Sequence, residues 1–285
     1  MTDYLFRGLT KDKHIRFFAV NAMNTVQTAI DLHYLSITNS VALGRLLIGG
    51  LLMSANLKNP KDLLTLRIDG DGPIGALIVT ATGSNTIKGY VQNPQIELAK
   101  NDRGFAIAEA IGNGTLSVIR SMEGSPPYNS QIELVSGEIG EDLSYYYHQS
   151  EQIDTMVNLG ILIETDAKIK QAGGILVQCL PNAPIDVLSR LNDNINSFPN
   201  LSDFLDMGYS LEYICQKHIF KDIPIEIFEQ KPVSYLCNCS RERFYDGIKM
   251  LGQSEINDMI NGNETITAEC HFCDKKYEFS IKELS

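Results

Sequence analysis

The sequence predicts an α+β protein in three parts: an N-terminal, mainly antiparallel sheet domain with packed helices, a helical linker and a small cysteine-rich C-terminal domain. Strand-like runs cluster between residues 63 and 178 instead of alternating with helices, which is typical of an α+β fold. After Leu180 the chain breaks into short helical pieces, and four of the six cysteines form two close pairs near its end. We therefore expect domains at 1–180, 181–230 and 231–285.

Two helices are expected before the first of these strands. From about His14 to Leu32, apolar residues recur at helical spacing among polar ones, which indicates a surface helix. Asn39 or Ser40 is a suitable N-terminal cap for a second helix that ends at about Leu57. Small residues along this second helix permit close packing against a sheet, so we expect it to be buried.

The chain from Leu63 to Val91 predicts three antiparallel strands, because turn residues interrupt its alternating pattern at 70–73 (GDGP) and 83–85 (GSN). The GDGP group and the GNG at 112–114 lack the arrangements that cradle phosphate, so plain turns are expected there. Further strands are expected at 115–121, 131–136, 157–163 and 169–178, with a helix at 141–152.

The stretch from Pro181 to Gln230 has the composition of a linker that lies on another surface. Prolines such as Pro199 divide it into helical pieces, among them 185–195 and 211–220, which are too short to be stable alone. Its apolar residues recur often enough to need a surface on which to pack. We therefore expect a docked and marginally stable segment.

Composition and charge limit the classes of partner. Hydrophobic residues make up 44% and charged residues 21% of the chain, as in folded globular proteins. A net charge of −11 argues against binding to nucleic acid or to an anionic membrane. The N-terminus lacks the pattern of a secretory signal, and the apolar run at 46–53 is far shorter than the ~20 residues that span a bilayer. A cytoplasmic protein with no nucleic-acid or membrane partner is expected.

The two cysteine pairs indicate a metal site rather than a disulfide framework, because disulfides are rare in a reducing compartment. Four thiolates in a C-x-C and a C-x-x-C pair can surround Zn²⁺ tetrahedrally at ~2.3 Å. Such a shell leaves no open position for substrate, so the metal would be structural. The sequence therefore predicts a zinc-binding domain with one Zn²⁺ on Cys237, Cys239, Cys270 and Cys273.

The predicted zinc-binding domain is too small to be held together by its own core, so its fold is expected to depend on the metal. Zinc binding to such sites contributes on the order of 10–16 kcal/mol at neutral pH, against a net stability of ~5–15 kcal/mol for whole domains. Loss of zinc is therefore expected to unfold this domain.

Other interpretations of the cysteines stay open. His271 or His218 could replace one thiolate as a metal ligand. The domain could also be a zinc ribbon that supports a nucleic-acid contact, although its acidic residues outnumber its basic ones. A thiol-disulfide oxidoreductase is a further alternative, but neither pair lies at the strand-to-helix junction of a visible βαβ unit. The remaining cysteines, Cys179 and Cys215, are expected to be buried small hydrophobes.

The cysteine pairs lie in longer stretches with a recognisable pattern. The C-x-C pair (Cys237, Cys239) leads into CSRER, Leu-Gly follows at 251–252, and the C-x-x-C pair (Cys270, Cys273) lies within ECHFCDKKYEF. Upstream, the pattern continues through IDGDGPIGAL, IGNGTLSVIR, LVSGEIGEDLSYYYHQSEQ and AGGILVQCLPNAP. Together these stretches resemble the heat-shock protein 33 family of redox-regulated holdase chaperones, and the resemblance covers essentially the whole chain.

This resemblance implies an ATP-independent chaperone that is inactive while reduced and zinc-bound, and not an enzyme, so no catalytic residue is named. In the family, hypochlorite, or peroxide with heat, joins the pair that is here Cys270 and Cys273, then the pair that is here Cys237 and Cys239. Zinc leaves, the C-terminal domain and linker unfold, and homodimers are favoured. The exposed surface then holds unfolding client proteins until the heat-shock protein 70 system takes them. Additional or mixed disulfides of Cys179 and Cys215 stay open.

Overall fold

The structure is a computed structural model that describes residues 2–101, 104–181, 183–198, 200–251, 255–256 and 265–284. Pro199 of the predicted linker and Gly252 lie outside these residues. The chain forms two compact units, of which the first ends at Tyr235 and the second begins at Leu236. Helices pack on predominantly antiparallel sheets, which confirms the predicted α+β class.

The described residues form helices and strands from Tyr4 to Leu284. The helices are α1 (Met23–His33), α2 (Ile37–Ser54), α3 (Ile107–Ile111), α4 (Gly140–Tyr146), α5 (Ile185–Asn196), α6 (Leu201–Asp206), α7 (Leu211–Ile214), α8 (Arg241–Lys249) and α9 (Ile281–Leu284). The strands are β1 (Tyr4–Thr10), β2 (Ile15–Asn21), β3 (Leu63–Gly70), β4 (Leu77–Thr82), β5 (Thr86–Val91), β6 (Gly114–Ser121), β7 (Tyr128–Glu133), β8 (Thr155–Ile163), β9 (Ile169–Cys179), β10 (Ile225–Ile227), β11 (Lys231–Pro232), β12 (Ser234–Tyr235), β13 (Thr265–Glu269) and β14 (Lys276–Ser280). Single π-helical turns follow α4 and α7, at Tyr147–Glu151 and Cys215–Ile219.

The first sheet has the strand order β10-β1-β2-β9-β8, and β11 also pairs with β1. All of these pairs are antiparallel. The strand β2 lies between β1 and β9 and is buried along nearly all of its length. The first sheet therefore has one central stretch that is covered on both faces.

The helix predicted from His14 to Leu32 is wrong over its first part. Residues Ile15–Asn21 form β2, and α1 begins only at Met23. A strand that is covered on both faces carries an unbroken apolar run, which periodicity alone does not separate from a buried helix. The tertiary position of β2 in the sheet, rather than any local signal, decides its conformation.

The second sheet has the order β12-β5-β4-β3-β6-β7, and its first three strands in sequence confirm the prediction for residues 63–91. The later strands and the helix near 141–152 are also confirmed, except that β7 begins and ends about three residues earlier than predicted.

The helix α2 packs against strands of both sheets and forms the centre of the core. It begins at Ile37 after the cap Ser36, slightly before the predicted cap residues, because the Ser36 side chain accepts a hydrogen bond from the Asn39 amide. A Cβ at Gly50 would lie 2.9 Å from Ile87 Cδ1, which explains why a residue without a side chain is needed at this position of α2. By length and composition α2 is apolar enough to cross a membrane, but 89% of it is buried inside the fold.

The linker helices α5, α6 and α7 pack on one face of the first sheet, which confirms the helical pieces predicted at 185–195 and 211–220. The linker surface and the sheet face form a second hydrophobic cluster, separate from the core around α2. The sheet contributes the buried residues Phe6, Ile15, Phe17, Ala19, Ile175 and Val177. The linker contributes Val187, Leu191, Leu201, Leu205, Leu211, Ile214, Cys215, Ile219, Phe220 and Ile223.

Candidate metal centre

The four cysteines of the second unit lie beside α8 and in the hairpin of β13 and β14. The strands β13 and β14 pair antiparallel from Thr265↔Ser280 to Glu269↔Lys276. The helix α8 begins after Ser240, whose side chain accepts a hydrogen bond from the Arg243 amide at 3.3 Å. The first cysteine pair lies on the chain just before this cap, and the second lies in the turn that joins the two strands.

The hairpin turn holds Cys270 and Cys273 close together through backbone hydrogen bonds. The Cys270 amide donates to the Lys275 carbonyl at 3.0 Å. The Cys270 carbonyl accepts from the amides of Cys273 at 3.1 Å and Asp274 at 2.8 Å. Asp274 has a φ of 55°, in the left-handed region that aspartate tolerates better than most residues. The C-x-x-C spacing therefore allows one tight turn to hold both cysteines.

The four Sγ atoms lie within 4.8 Å of one another, so the structure brings together all four predicted ligands. The Sγ atoms of Cys237 and Cys270 are 3.7 Å apart, and those of Cys239 and Cys273 are 3.4 Å apart. Metal–sulfur bonds of ~2.3 Å in a tetrahedron place the sulfurs about 3.8 Å apart. This donor set fits a single metal ion, and within the described residues it includes no histidine.

The electrostatic environment differs among the thiols of the cluster. Burial raises the pKa of Cys270 and of Cys273. Burial also acts to raise the pKa of Cys239, but hydrogen bonds from the Tyr277 hydroxyl and from neighbouring thiols outweigh it and lower this pKa to about 7. Four thiolates so close together require a cation, because their mutual repulsion otherwise favours protonated sulfur.

Tyr277 is a site residue to which sequence reasoning assigned no role. Its hydroxyl lies 3.1 Å from Cys239 Sγ, and this hydrogen bond, followed by burial, raises the pKa of Tyr277 to about 12. The tyrosine therefore remains a proton donor to the sulfur at neutral pH. The nearest signal in the sequence is its position four residues after Cys273, which the antiparallel hairpin brings back toward the cluster.

The described part of the second unit has only a small apolar core. Ile248, Ile256, Phe279 and Leu284 are its buried hydrophobic members. The Arg241 guanidinium lies over the Phe279 ring, 4.6 Å from its centroid. Four buried side chains offer little hydrophobic stabilisation against the entropy of ordering the unit, so a metal ion that cross-linked its two ends would add substantially to its stability.

The two remaining cysteines belong to the first unit and lie outside the cluster. Cys215 is fully buried in the second hydrophobic cluster, and burial raises the pKa of its thiol, so the prediction of a small buried hydrophobe is confirmed. Cys179 is only half-buried at the end of β9, and the same prediction is wrong for this residue. Burial, followed by the charge of Asp154, raises the pKa of Cys179 as well.

The fold and the cysteine cluster define an α+β protein with a small C-terminal module whose four cysteines could hold a metal ion. Comparison with known proteins identifies the family: the protein-family model described as "Hsp33 protein" matches residues 3–280. The chain belongs to the Hsp33 family of chaperones, as the sequence resemblance predicted.

Individual relatives match this chain over its full length. The chain is 41% identical over 285 residues to the "33 kDa chaperonin" of Acetivibrio thermocellus, covering all of this chain and 96% of the relative. It is 40% identical to the protein of the same name from Carboxydothermus hydrogenoformans, covering all of this chain and 97% of the relative. The crystal structure of the 33 kDa chaperonin (heat shock protein 33 homolog) of Thermotoga maritima superposes with a TM-score of 0.91 at 34% identity, covering all of this chain and 97% of that one.

Proposed function

We propose that this protein is an ATP-independent holdase chaperone, and that its four-cysteine cluster binds one Zn²⁺ and acts as its redox switch. The gathering of four sulfurs within 4.8 Å, in a unit with a small apolar core, is the observation that carries the proposal. In functional terms, residues 1–180 are the chaperone core, 181–230 the metastable linker and 231–285 the zinc-binding switch. The protein acts by binding and not by catalysis.

Zinc is the metal that this donor set favours. Thiolate ligands select Zn²⁺, Cu⁺ or iron–sulfur clusters, and a closed tetrahedral shell of four sulfurs is typical of structural zinc. Cys237, Cys239, Cys270 and Cys273 are the four ligands. With the metal bound, the thiols stay deprotonated, and the Tyr277 hydroxyl donates a hydrogen bond to the Cys239 sulfur.

Oxidation removes the metal by consuming its ligands. Two thiolates lose two electrons to an oxidant, hypochlorite or peroxide with heat, and their sulfurs form one disulfide bond. The family resemblance supports the pairing Cys270–Cys273 followed by Cys237–Cys239. The shortest described contacts cross between the pairs, but since all four sulfurs lie within 4.8 Å, the resting geometry does not impose that pairing.

Loss of zinc is proposed to unfold the switch and then to release the linker. The linker continues through β11 and β12 into the second unit, which begins at Leu236, so the linker loses its ordered C-terminal neighbour in the sequence when that unit unfolds. The linker helices are four to twelve residues long, too short to persist without the surface on which they pack. Their departure uncovers the apolar face of β1, β2 and β9.

The uncovered face supplies the client-binding surface of a holdase. A contiguous apolar patch on an open sheet is suited to bind unfolding polypeptides, and the net charge of −11 keeps the opened protein soluble. We further propose that the activated form is a homodimer in the cytoplasm and passes its clients to the heat-shock protein 70 system. Neither nucleic acid nor a membrane is a partner in this scheme.

The switch is tested by stepwise oxidation of the reduced protein with free thiols and bound zinc followed together. We expect one zinc per chain at the start, an all-sulfur first shell by X-ray absorption, and zinc release in step with the loss of four thiols. The Cys179→Ala/Cys215→Ala double variant should give the same curve, since neither residue is a ligand. Zinc that stays bound after four thiols are lost, or a first shell of nitrogen and oxygen, contradicts the proposal.

A further inference from the structure

The outer edge of β1 is covered by the end of the linker and by the three residues that follow it. In the described part of the chain, β10 pairs with this edge from Gly8↔Ile227 to Thr10↔Ile225, and β11 pairs Tyr4 and Leu5 with Pro232 and Lys231. We call residues 224–233 the cover segment. The cover segment forms one edge of the first sheet, because β1 is hydrogen-bonded to β2 on its other side.

Backbone hydrogen bonds define which groups of β1 face the cover segment. The carbonyl of Arg7 accepts from the Phe228 amide at 2.9 Å, and the carbonyl of Asp3 accepts from the Val233 amide at 3.2 Å. In an antiparallel ladder the N–H and C=O of one residue point to the same side, and the side alternates along the strand. The amides of Leu5, Arg7 and Leu9 therefore face the cover segment, whereas those at positions 6 and 8 face β2.

The cover segment is a weak partner for this edge. Its two paired pieces contain three and two residues, whereas β1 has seven. Both residues of β11 are exposed, and Phe228 between the two pieces is 42% exposed. A continuous extended strand could form more hydrogen bonds with β1 than the cover segment does.

An uncovered β1 would present its edge beside the apolar sheet face. Unpaired N–H and C=O groups on an edge strand form a template for pairing with another extended chain. The side chain of Phe6 in β1 is fully buried in the second hydrophobic cluster, so the same strand borders the surface that the linker helices cover. Departure of the linker together with the rest of the cover segment would open the edge and the face.

We propose that the outer edge of β1 is a docking site for an extended segment of an unfolding client, which joins the first sheet as a strand once the cover segment has left. This inference rests on the proposed holdase function. Hydrogen bonds to the backbone do not depend on side-chain identity, so they suit clients of unrelated sequence. Alternate side chains of the docked strand would lie along the apolar face. In the resting protein, the cover segment occupies the site as an internal substitute for a client.

Amide hydrogen exchange resolved to single residues tests the site directly. The probe is a reduced and alkylated, permanently unfolded protein added to the oxidised, zinc-free chain. Without the probe, the amides of Leu5, Arg7 and Leu9 should exchange at least tenfold faster than those of Phe6 and Gly8. The probe should slow the first three at least tenfold and leave the other two unchanged. A bound probe that leaves the first three unprotected overturns the docking site.

Light scattering on the same preparation separates this inference from the proposed function. If the oxidised chain suppresses aggregation of a denatured protein but the alternating protection is missing, the holdase function stands and the β1 site is wrong. If the oxidised chain does not suppress aggregation at all, the holdase function itself fails, and the β1 site fails with it.

A matched pair of variants gives an independent result. Arg7 is exposed, so its side chain can be changed without loss of core packing. Arg7→Pro removes the outward N–H, and Arg7→Ala shortens the side chain but keeps that N–H. With the circular dichroism spectrum and urea midpoint of the reduced protein as the check on folding, oxidised Arg7→Pro should need at least threefold more protein than Arg7→Ala for equal suppression of aggregation. Equal activity of the two variants overturns the proposal, and if Arg7→Pro does not fold, the amide exchange result decides.

Discussion

Phe220 is the residue whose loss should most clearly release the linker without touching the metal site. It is 1% exposed, and its ring centroid lies 4.6 Å from that of Phe17 in β2. Truncation of a buried phenylalanine to alanine costs about 3–5 kcal/mol. Since 1.4 kcal/mol is a factor of ten, Phe220→Ala should shift the docking equilibrium of the linker by about two to three and a half orders of magnitude.

The expected result is a reduced, zinc-loaded protein whose linker is already open. Limited proteolysis and amide exchange within α5 to α7 should show faster cleavage and exchange than in the wild type, and the variant should suppress aggregation without oxidation. Tyr213→Ala is the matched control, because Tyr213 lies in the same linker and is 42% exposed, stacked on Tyr209. If the linker of Phe220→Ala is as protected from proteolysis and amide exchange as that of the control, packing on the sheet does not hold the linker in place.

Three further outcomes are expected. Cys237→Ser should lower zinc affinity and make the second unit sensitive to protease, whereas Cys179→Ala should keep one zinc per chain. Equal zinc loss in the two variants would contradict the assignment of the ligands. Cys215→Ala should also keep its zinc but destabilise the first unit by about 1 kcal/mol in urea unfolding, because it removes a buried sulfur from the second hydrophobic cluster. The Tyr4 hydroxyl donates to Glu212 of the linker at 3.3 Å, and burial, followed by the Glu212 charge, raises the pKa of Tyr4 to about 12. Since this pKa lies above the ordinary value of 10, the stabilisation from the protonated Tyr4 is complete below pH 10 and is lost as the pH rises through about 12. The urea midpoint of the wild type should therefore fall over this pH range, and that of Tyr4→Phe should fall less. An equal fall in both proteins would contradict the assignment.

Features set by local chemistry could be predicted from the sequence. The glycine-rich turns at 70–73 and 83–85 fixed the strands β3 to β5, because turn residues limit the backbone conformations between two strands. The short spacing of Cys270 and Cys273 indicated that the two lie close together. The C-x-C and C-x-x-C spacings also predicted that all four cysteines form one candidate ligand set. These signals depend on neighbours in sequence and not on the rest of the fold.

Features set by distant contacts could not be predicted in this way. β2 was expected to be helical because its apolar run is decided by burial between β1 and β9. The strands β10 to β12 are two or three residues long, follow prolines or lie beside them, and exist only through pairing with strands far away in sequence. The approach of Tyr277 to Cys239 likewise depends on the hairpin that returns it to the cluster.

The most direct test of the redox-switch account is the aggregation of one chemically denatured protein diluted into buffer with three forms of this chain. The forms are the reduced and zinc-loaded protein, the oxidised and zinc-free protein, and the oxidised protein reduced again in the presence of zinc. Light scattering should be strongly suppressed by the oxidised form alone and should return to the unprotected level with the re-reduced form. Equal protection by the reduced and oxidised forms would contradict the switch, and no protection by any form would contradict the chaperone function.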